Sequence, residues 1–226
     1  MKAIQHKPNL KRAAVLLFGI MMTCATVKAQ DTPCLPLHGE TDNQSAWCGG
    51  TTQEIQLSAG WNWVSFYVEI TLNDLKAAIL AAVPASDRPI IKSKSNGQTN
   101  WLGTMWTPQL KALDLSQMYM IKVNTACTIT LQGEPIDPAD HPVTIKKKSA
   151  NWIAFPLSES MTVTNAFSTI NPAISDIVKS KSAGQATRLP SGWSGNLKDL
   201  TPGQGYIYTS KANVDKTLTF PTSNAK

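Results

Sequence analysis

Histidine is scarce: His6, His38 and His141 are all that 226 residues contain. A nucleophile-histidine machine needs its base within hydrogen-bond reach and a third group to orient that base. His38 lies between cysteines, His141 lies between prolines, and no motif gives either a partner. Carboxylates paired for glycoside cleavage are not evident. Asp87 and Asp176 correspond only under a shifted alignment. No His/Cys spacing suits zinc. Asp137 and Asp140 lack the dense oxygens of a calcium loop. The expectation is a chain without catalysis, cofactor or metal.

Long apolar runs are lacking as well. The longest spans residues 13–22, well short of the roughly eighteen that a membrane helix requires. It follows Lys2, Lys7, Lys11 and Arg12 and precedes the small-residue stretch Ala25-Thr26-Val27-Lys28-Ala29. That order is a secretory signal peptide, residues 1–30, with cleavage near Ala29 or Gln30. Met21-Met22-Thr23 does not suit lipid attachment at Cys24. The expected location is secreted or outer cell surface, with the periplasm as the alternative, and no transmembrane segment.

A concentrated basic face is also missing. The 21 Lys/Arg outnumber 15 Asp/Glu, but five of the basic residues sit in the leader, leaving 16 against 15. Lys146-Lys147-Lys148 is the one run, and lysines at a strand edge commonly discourage sheet-to-sheet pairing. Phosphate neutralisation needs more, so nucleic acid is not an expected partner. Cysteines are few. Cys34 and Cys48 flank a polar loop (31–53) that export would allow to close as a disulfide. Cys127 is left over, either a buried thiol or an intermolecular bridge.

What the chain does have is a repeat. Residues 90–106, IIKSKSNGQTNWLGTMW, align without a gap on residues 177–193, IVKSKSAGQATRLPSGW, at an offset of 87. Leu110/Leu197, Gln117/Gln204 and Tyr119/Tyr206 continue that match. Asn62/Asn151, Trp63/Trp152, Phe66/Phe155 and Thr128/Thr217 match at 89. Two diverged copies of one unit would show such loop-length changes. The organisation expected is repeat 1 at 54–134, a linker at 135–142 with three prolines nearby, and repeat 2 at 143–222. Each copy reads as mainly β (α+β): a long strand from Trp61, one short helix, then several strands. Thr71 caps the first helix, Leu72, Leu75, Ile79 and Val83 form its buried stripe, and Pro84 ends it. The second helix, near Val163, Phe167 and Ile170, is weaker. Strands are expected at 90–95, 99–103, 118–123 and 127–131. Mutual packing with pseudo-twofold symmetry would help two modules whose cores are small.

Gly60-Trp61-Asn62-Trp63-Val64-Ser65-Phe66, Ile91-Lys92-Ser93, Gly192-Trp193-Ser194-Gly195-Asn196-Leu197 and Leu200-Thr201-Pro202-Gly203-Gln204-Gly205-Tyr206 form an ordered string. It resembles the tandem GWNWIS, IKSQ, GW-G-L and PG-GY repeats of exported bacterial surface proteins. The resemblance spans nearly all of 55–222. It implies a surface or secreted module and brings no defined activity. Lys94 and Lys181 stand where that family often has glutamine.

Two feature sets remain as ligand-binding candidates. The shared Lys-Ser-Lys-Ser element would place Lys92 with Lys94, and Lys179 with Lys181, on one strand face, a cationic pair for an acidic glycan or a lipid headgroup. A hairpin with one wet face is the plainer reading. Among aromatics, Trp63/Trp152, Trp106/Trp193 and Tyr119/Tyr206 are expected in the core. Trp61 and Trp101, which the second copy replaces with Ala150 and Arg188, are the expected platform for a ring, or else filler between copies. The function expected is a non-enzymatic binding or adhesion module for a glycan. The alternative is a structural or assembly protein that contacts another surface protein.

Overall fold

A computed structural model describes residues 50–222. The expected leader, the Cys34–Cys48 disulfide, His38 and Trp47 lie outside the described residues. The first module opens with β1 (Thr51–Leu57) and β2 (Gly60–Val64). α1 (Leu72–Ala82), β3 (Ile90–Lys92), β4 (Gln98–Asn100), β5 (Tyr119–Val123) and β6 (Cys127–Gly133) follow. The second contains β7 (Val143–Ile145), β8 (Ala150–Ile153), β9 (Met161–Thr162), α2 (Val163–Ala166) and β10 (Ile177–Lys179). It ends with β11 (Gln185–Leu189), β12 (Gly192–Gly195), β13 (Asp199–Leu200), β14 (Tyr206–Thr209) and β15 (Lys216–Leu218). The protein is mainly β, and its ladders are antiparallel.

The main ladders connect alike in both modules, and a β9–β13 pair is present in the second alone. β1 pairs with β6 as β7 pairs with β15. The sheet β2-β5-β3-β4 has its counterpart in β8-β14-β10-β11, with β12 added at the edge. Register agrees as well. Ile91 lies opposite Thr99 and Ile121; Val178 lies opposite Ala186 and Tyr208. Trp101 bridges Trp106 where Arg188 pairs with Trp193. Each module has its own apolar core. In the first, Ile55 and Leu57 of β1, Ile129 and Leu131 of β6, and Leu72, Leu75 and Ile79 of α1 meet Ile91, Tyr119 and Ile121 of the sheet. In the second, Val143, Ile145, Phe155, Phe167, Tyr208 and Phe220 do the same.

Shared polar residues fasten the corners. Asn62 receives the Ser58 amide on Oδ1 at 3.0 Å and donates Nδ2 to the Ser58, Gly60 and Ile121 carbonyls. Asn151 repeats this with Lys146, Ser149 and Tyr208. The buried Asp87 accepts from the amides of Arg88, Asn124 and Thr125. Buried Asp176 accepts from the amides of Ala173 and Lys211 and from the Tyr208 hydroxyl. The shifted Asp87/Asp176 correspondence is therefore a pair of turn anchors. Buried carboxylates survive when amides saturate their lone pairs.

Several elements are shorter than expected. α2 is a single turn capped by Thr162. Its Val-Thr-Asn segment has poor helix propensity beside the Leu- and Ala-rich α1. The strand from Trp61 stops at Val64, because the next amide, Ser65, leaves its sheet for the other module. β3 ends at Lys92, where the Ser93 hydroxyl accepts from the amides of Ser95 and Asn96 and turns the chain. β4 ends at Asn100 rather than 103, beyond which only the Trp101–Trp106 bridge continues. The proline-rich linker docks on the first module. The Ile136 amide donates to the Tyr67 carbonyl at 3.0 Å, and its side chain is buried in that core.

The modules meet through reciprocal contacts. Ser65 N donates to Gly203 O at 3.1 Å, and Ala154 N donates to Ser116 O at 3.2 Å. Ser65 and Ala154 correspond at 89, Gly203 and Ser116 at 87, so each module offers the other the same bond. Gly203 holds φ +77° after Pro202, which suits glycine at the third position of a tight turn. Gly205 lies against Met118, its own counterpart at 87. A Cβ on Gly205 would stand 2.4 Å from Met118 Cβ, so one side is empty where the other is full.

Candidate functional site

The outer face of each main sheet carries one row twice. In the first module, Trp63 lies opposite Met120, Met120 opposite Lys92, and Lys92 opposite Gln98. In the second, the row is Trp152, Ile207, Lys179, Gln185. The tryptophan, lysine and glutamine are identical, and none is buried. A core does not require their agreement. Strands lie about 4.8 Å apart, so each lysine is two strands from its tryptophan.

Two clefts flank the junction, and they are built from corresponding residues. The larger, of about 300 Å³, takes Trp152, Asn151, Lys146, Thr144 and Val143 from the second module. The first module lends it Lys94, Ser95, Ser116, Gln117 and Asp114. The smaller, of about 110 Å³, takes Trp63, Asn62, Ser58, Gln56 and Ile55 from the first module. The second module lends it Lys181, Ser182, Gly203 and Gln204. Trp152 answers Trp63, Lys94 answers Lys181, and Gln117 answers Gln204. Val143 and Thr144 are shorter than Ile55 and Gln56, which is consistent with the larger volume. Each cleft thus joins one module's tryptophan to the other module's turn lysine.

Local folding sets these side chains. The Ser93 and Ser180 turns lift Lys94 and Lys181 off the strand, and Gly97 and Gly184, with φ +85° and +84°, close each turn. The Lys94 ammonium donates to the Ala150 carbonyl across the junction. Asp114 is satisfied within its own loop by the Ser116 amide and hydroxyl and the Gln117 amide group. Lys146 Nζ reaches Asp215 at 3.0 Å. The Lys147 amide and the Lys146 ammonium hold the Asp215 carboxyl below its ordinary range. That pair is exposed and therefore weak. Tyr119 and Tyr206, beneath the turns, are pushed up by burial, and their hydroxyls accept the Asp114 and Thr201 amides.

The expected site residues are dispersed differently from the one-face picture. Lys92 and Lys179 stay on the strands in the outer rows, while Lys94 and Lys181 stand in the turns and enter the clefts. Trp61 is 37 % exposed on β2, opposite Lys122. Trp101 is half-buried, its ring 5.6 Å from that of Trp106. Trp61, Lys122, Ile90 and Asn100 are in line across the sheet. Trp101 follows Asn100, so alternation points it to the opposite face. Trp61 and Trp101 do not form one platform. Trp63 and Trp152, expected in the core, are half-buried at the clefts. Their pairing with Lys181 and Lys94 crosses modules, which only contact geometry reveals. Trp106 and Trp193 do pack on the cores. The Trp106 Nε1 is buried without a partner, and Lys76 Nζ stands 5.8 Å from its ring.

His141 Nε2 meets Glu69 Oε1 at 2.6 Å, tying the linker to the first module. Among the described residues, no group of three His, Cys, Asp or Glu side chains is placed to hold a metal. No helix among them is long and apolar enough to cross a membrane. Comparison with family models, curated proteins and solved structures finds no match to this chain.

Proposed function

We propose that this chain is an exported, non-enzymatic binding or adhesion module that engages carbohydrate through its solvent-facing tryptophans. Its two repeats are related by a pseudo-twofold axis, which the reciprocal Ser65–Gly203 and Ala154–Ser116 bonds support. The observation that carries the binding reading is the paired clefts. Each sets an indole ring beside a lysine, with amide and hydroxyl groups around them. Aromatic faces with a few convergent polar groups are what ring ligands require. A glycan array probed with the processed chain and with Trp61→Ala, Trp101→Ala and Trp152→Ala tests it. Glycan signal that one of these substitutions removes is expected. No signal from any protein contradicts the carbohydrate reading.

A second reading, assembly through protein contacts, rests on the hairpin tip of the first module. Leu102 and Met105 are 58 % and 59 % exposed there, an apolar pair that a partner would cover. Light scattering and non-reducing electrophoresis test that reading. A strict monomer that retains no partner speaks against it.

A further inference from the structure

The main sheet of the first module is open on one side. Val64, Tyr119, Ile121, Ile91 and Thr99 point inward and are buried. None of the residues that alternate with them is buried. These outward residues stand in two rows. Trp63, Met120, Lys92 and Gln98 form one, and its tryptophan, lysine and glutamine recur in the second module. Trp61, Lys122, Ile90 and Asn100 form the other. There the modules part, since the second has Ala150, Thr209, Ile177 and Thr187 at those registers. Only the first module therefore sets two indoles on one face of one strand, Trp61 and Trp63, with Cα atoms about 7 Å apart.

Charge separates the two faces as well. The two rows of the first sheet contain Lys92 and Lys122 and no carboxylate, whereas the matching rows of the second contain Lys179 alone. Among the described residues neither Lys92 nor Lys122 is in an ion pair. At the far edge Gln98 Nε2 donates to Asn100 Oδ1 at 3.3 Å. That bond leaves Gln98 Oε1 and Asn100 Nδ2 open, an acceptor beside a donor, which suits neighbouring sugar hydroxyls. Resting on the carbohydrate reading above, we infer that the open face of the first sheet binds an acidic polysaccharide. The polysaccharide lies across the strands, with rings on Trp61 and Trp63, carboxylate or sulfate groups on Lys122 and Lys92, and hydroxyls at Gln98 and Asn100. From β2 to β4 is three strand spacings, about 14 Å, so the face takes more than one ring. The paired amides favour a sugar over an anionic lipid surface, which has few hydroxyls to engage them.

Isothermal titration of the processed chain tests this with hexa-galacturonate, a heparin-derived hexasaccharide, neutral cellohexaose, galacturonic acid, and vesicles of anionic phospholipid. One acidic hexasaccharide should bind at one site per chain and weaken as salt rises, and which of the two binds tells carboxylate from sulfate. Galacturonic acid alone should bind about tenfold more weakly or less, since it reaches only part of the face. Trp61→Ala should weaken hexasaccharide binding about tenfold or more, and Lys122→Gln about threefold or more. Trp61 is 37 % exposed and Lys122 faces outward, so both variants retain the fold. On the second sheet, Trp152→Ala and Lys179→Gln should change that binding about twofold or less. Ala150→Trp combined with Thr209→Lys and Thr187→Asn places the missing row on the second sheet and should raise the stoichiometry to two sites. A stoichiometry that stays at one overturns the role given to that row. Equal binding of cellohexaose overturns the acidic ligand and leaves the carbohydrate reading standing. Acidic binding that Trp152→Ala removes and Trp61→Ala spares overturns the sheet face alone. Binding to vesicles alone overturns the sugar assignment. Silence toward every probe overturns the acidic site, and the glycan array then decides the broader reading.

Discussion

Replacing Asn62 or Asn151 with alanine removes the same fastening from equivalent corners, so the two losses should be alike. Each side chain accepts one amide and offers two hydrogens to three carbonyls, at 2.8 to 3.3 Å in the first module. In the second module the corresponding distances run from 2.9 to 3.3 Å. Ser58 and Lys146 are exposed, so water replaces their lost bonds and each counts about 0.5 kcal/mol. The bonds to Ile121 and Tyr208 are buried and count about 1–1.5 kcal/mol. The sum is about 2–3 kcal/mol per site, which lowers Tm by roughly 4–12 °C for a protein of this size. Aspartate should cost more than alanine at either position, since it sets an acceptor against three carbonyl oxygens. Urea denaturation followed by tryptophan fluorescence reads both variants. A loss below about 0.5 kcal/mol at both sites, or a threefold disparity between them, refutes the equivalence of the two corners.

Gly205→Ala should destabilise by about 1–3 kcal/mol, because its methyl meets the Met118 side chain in a packed junction; calorimetry showing no change contradicts that. Thr71→Ala should cost about 1 kcal/mol through loss of the α1 cap. The Thr71 hydroxyl and amide hold the Asp74 carboxyl below 3.8, so its contribution is present above pH 3.8 and fades as pH falls through the lowered folded value. Wild type should therefore lose more stability in acid than Thr71→Ala, which keeps only the amide bond to Asp74. Tyr208 is pushed up by burial and by its bond to Asp176, and ultraviolet titration should find it still protonated where an ordinary tyrosine ionises. Burial raises the Cys127 thiol, so iodoacetamide at neutral pH should label it more slowly than a free thiol.

The repeated framework is legible because the same residues recur in both modules. Asn62/Asn151 and Tyr119/Tyr206 matched in sequence, and each pair makes the same bonds. α1 was legible from Thr71, its apolar spacing and Pro84, all local signals. The early end of β2 was not, since Ser65 leaves its sheet to bond Gly203, far along the chain. The site was half legible. The shared Lys-Ser-Lys-Ser spelling points to Lys94 and Lys181, but strand periodicity groups them with Lys92 and Lys179, because the turn-forming role of the Ser93 and Ser180 hydroxyls is invisible to alternation. The size of Trp63 and Trp152 argues for the core, where the structure does not put them. Their partial exposure follows from the outer sheet face they share with Lys92 and Lys179, and the clefts they line form only at the module junction, a contact between distant segments that no window of residues contains.

Amide hydrogen exchange at Ser65 and Ala154 tests the reciprocal junction most directly. Both are buried, and each donates only to the opposite module, so both should exchange slowly, with protection near that of the sheet amides. If the two exchange as fast as loop amides, or if only one is protected, the modules do not clasp each other and the clefts between them do not exist as described.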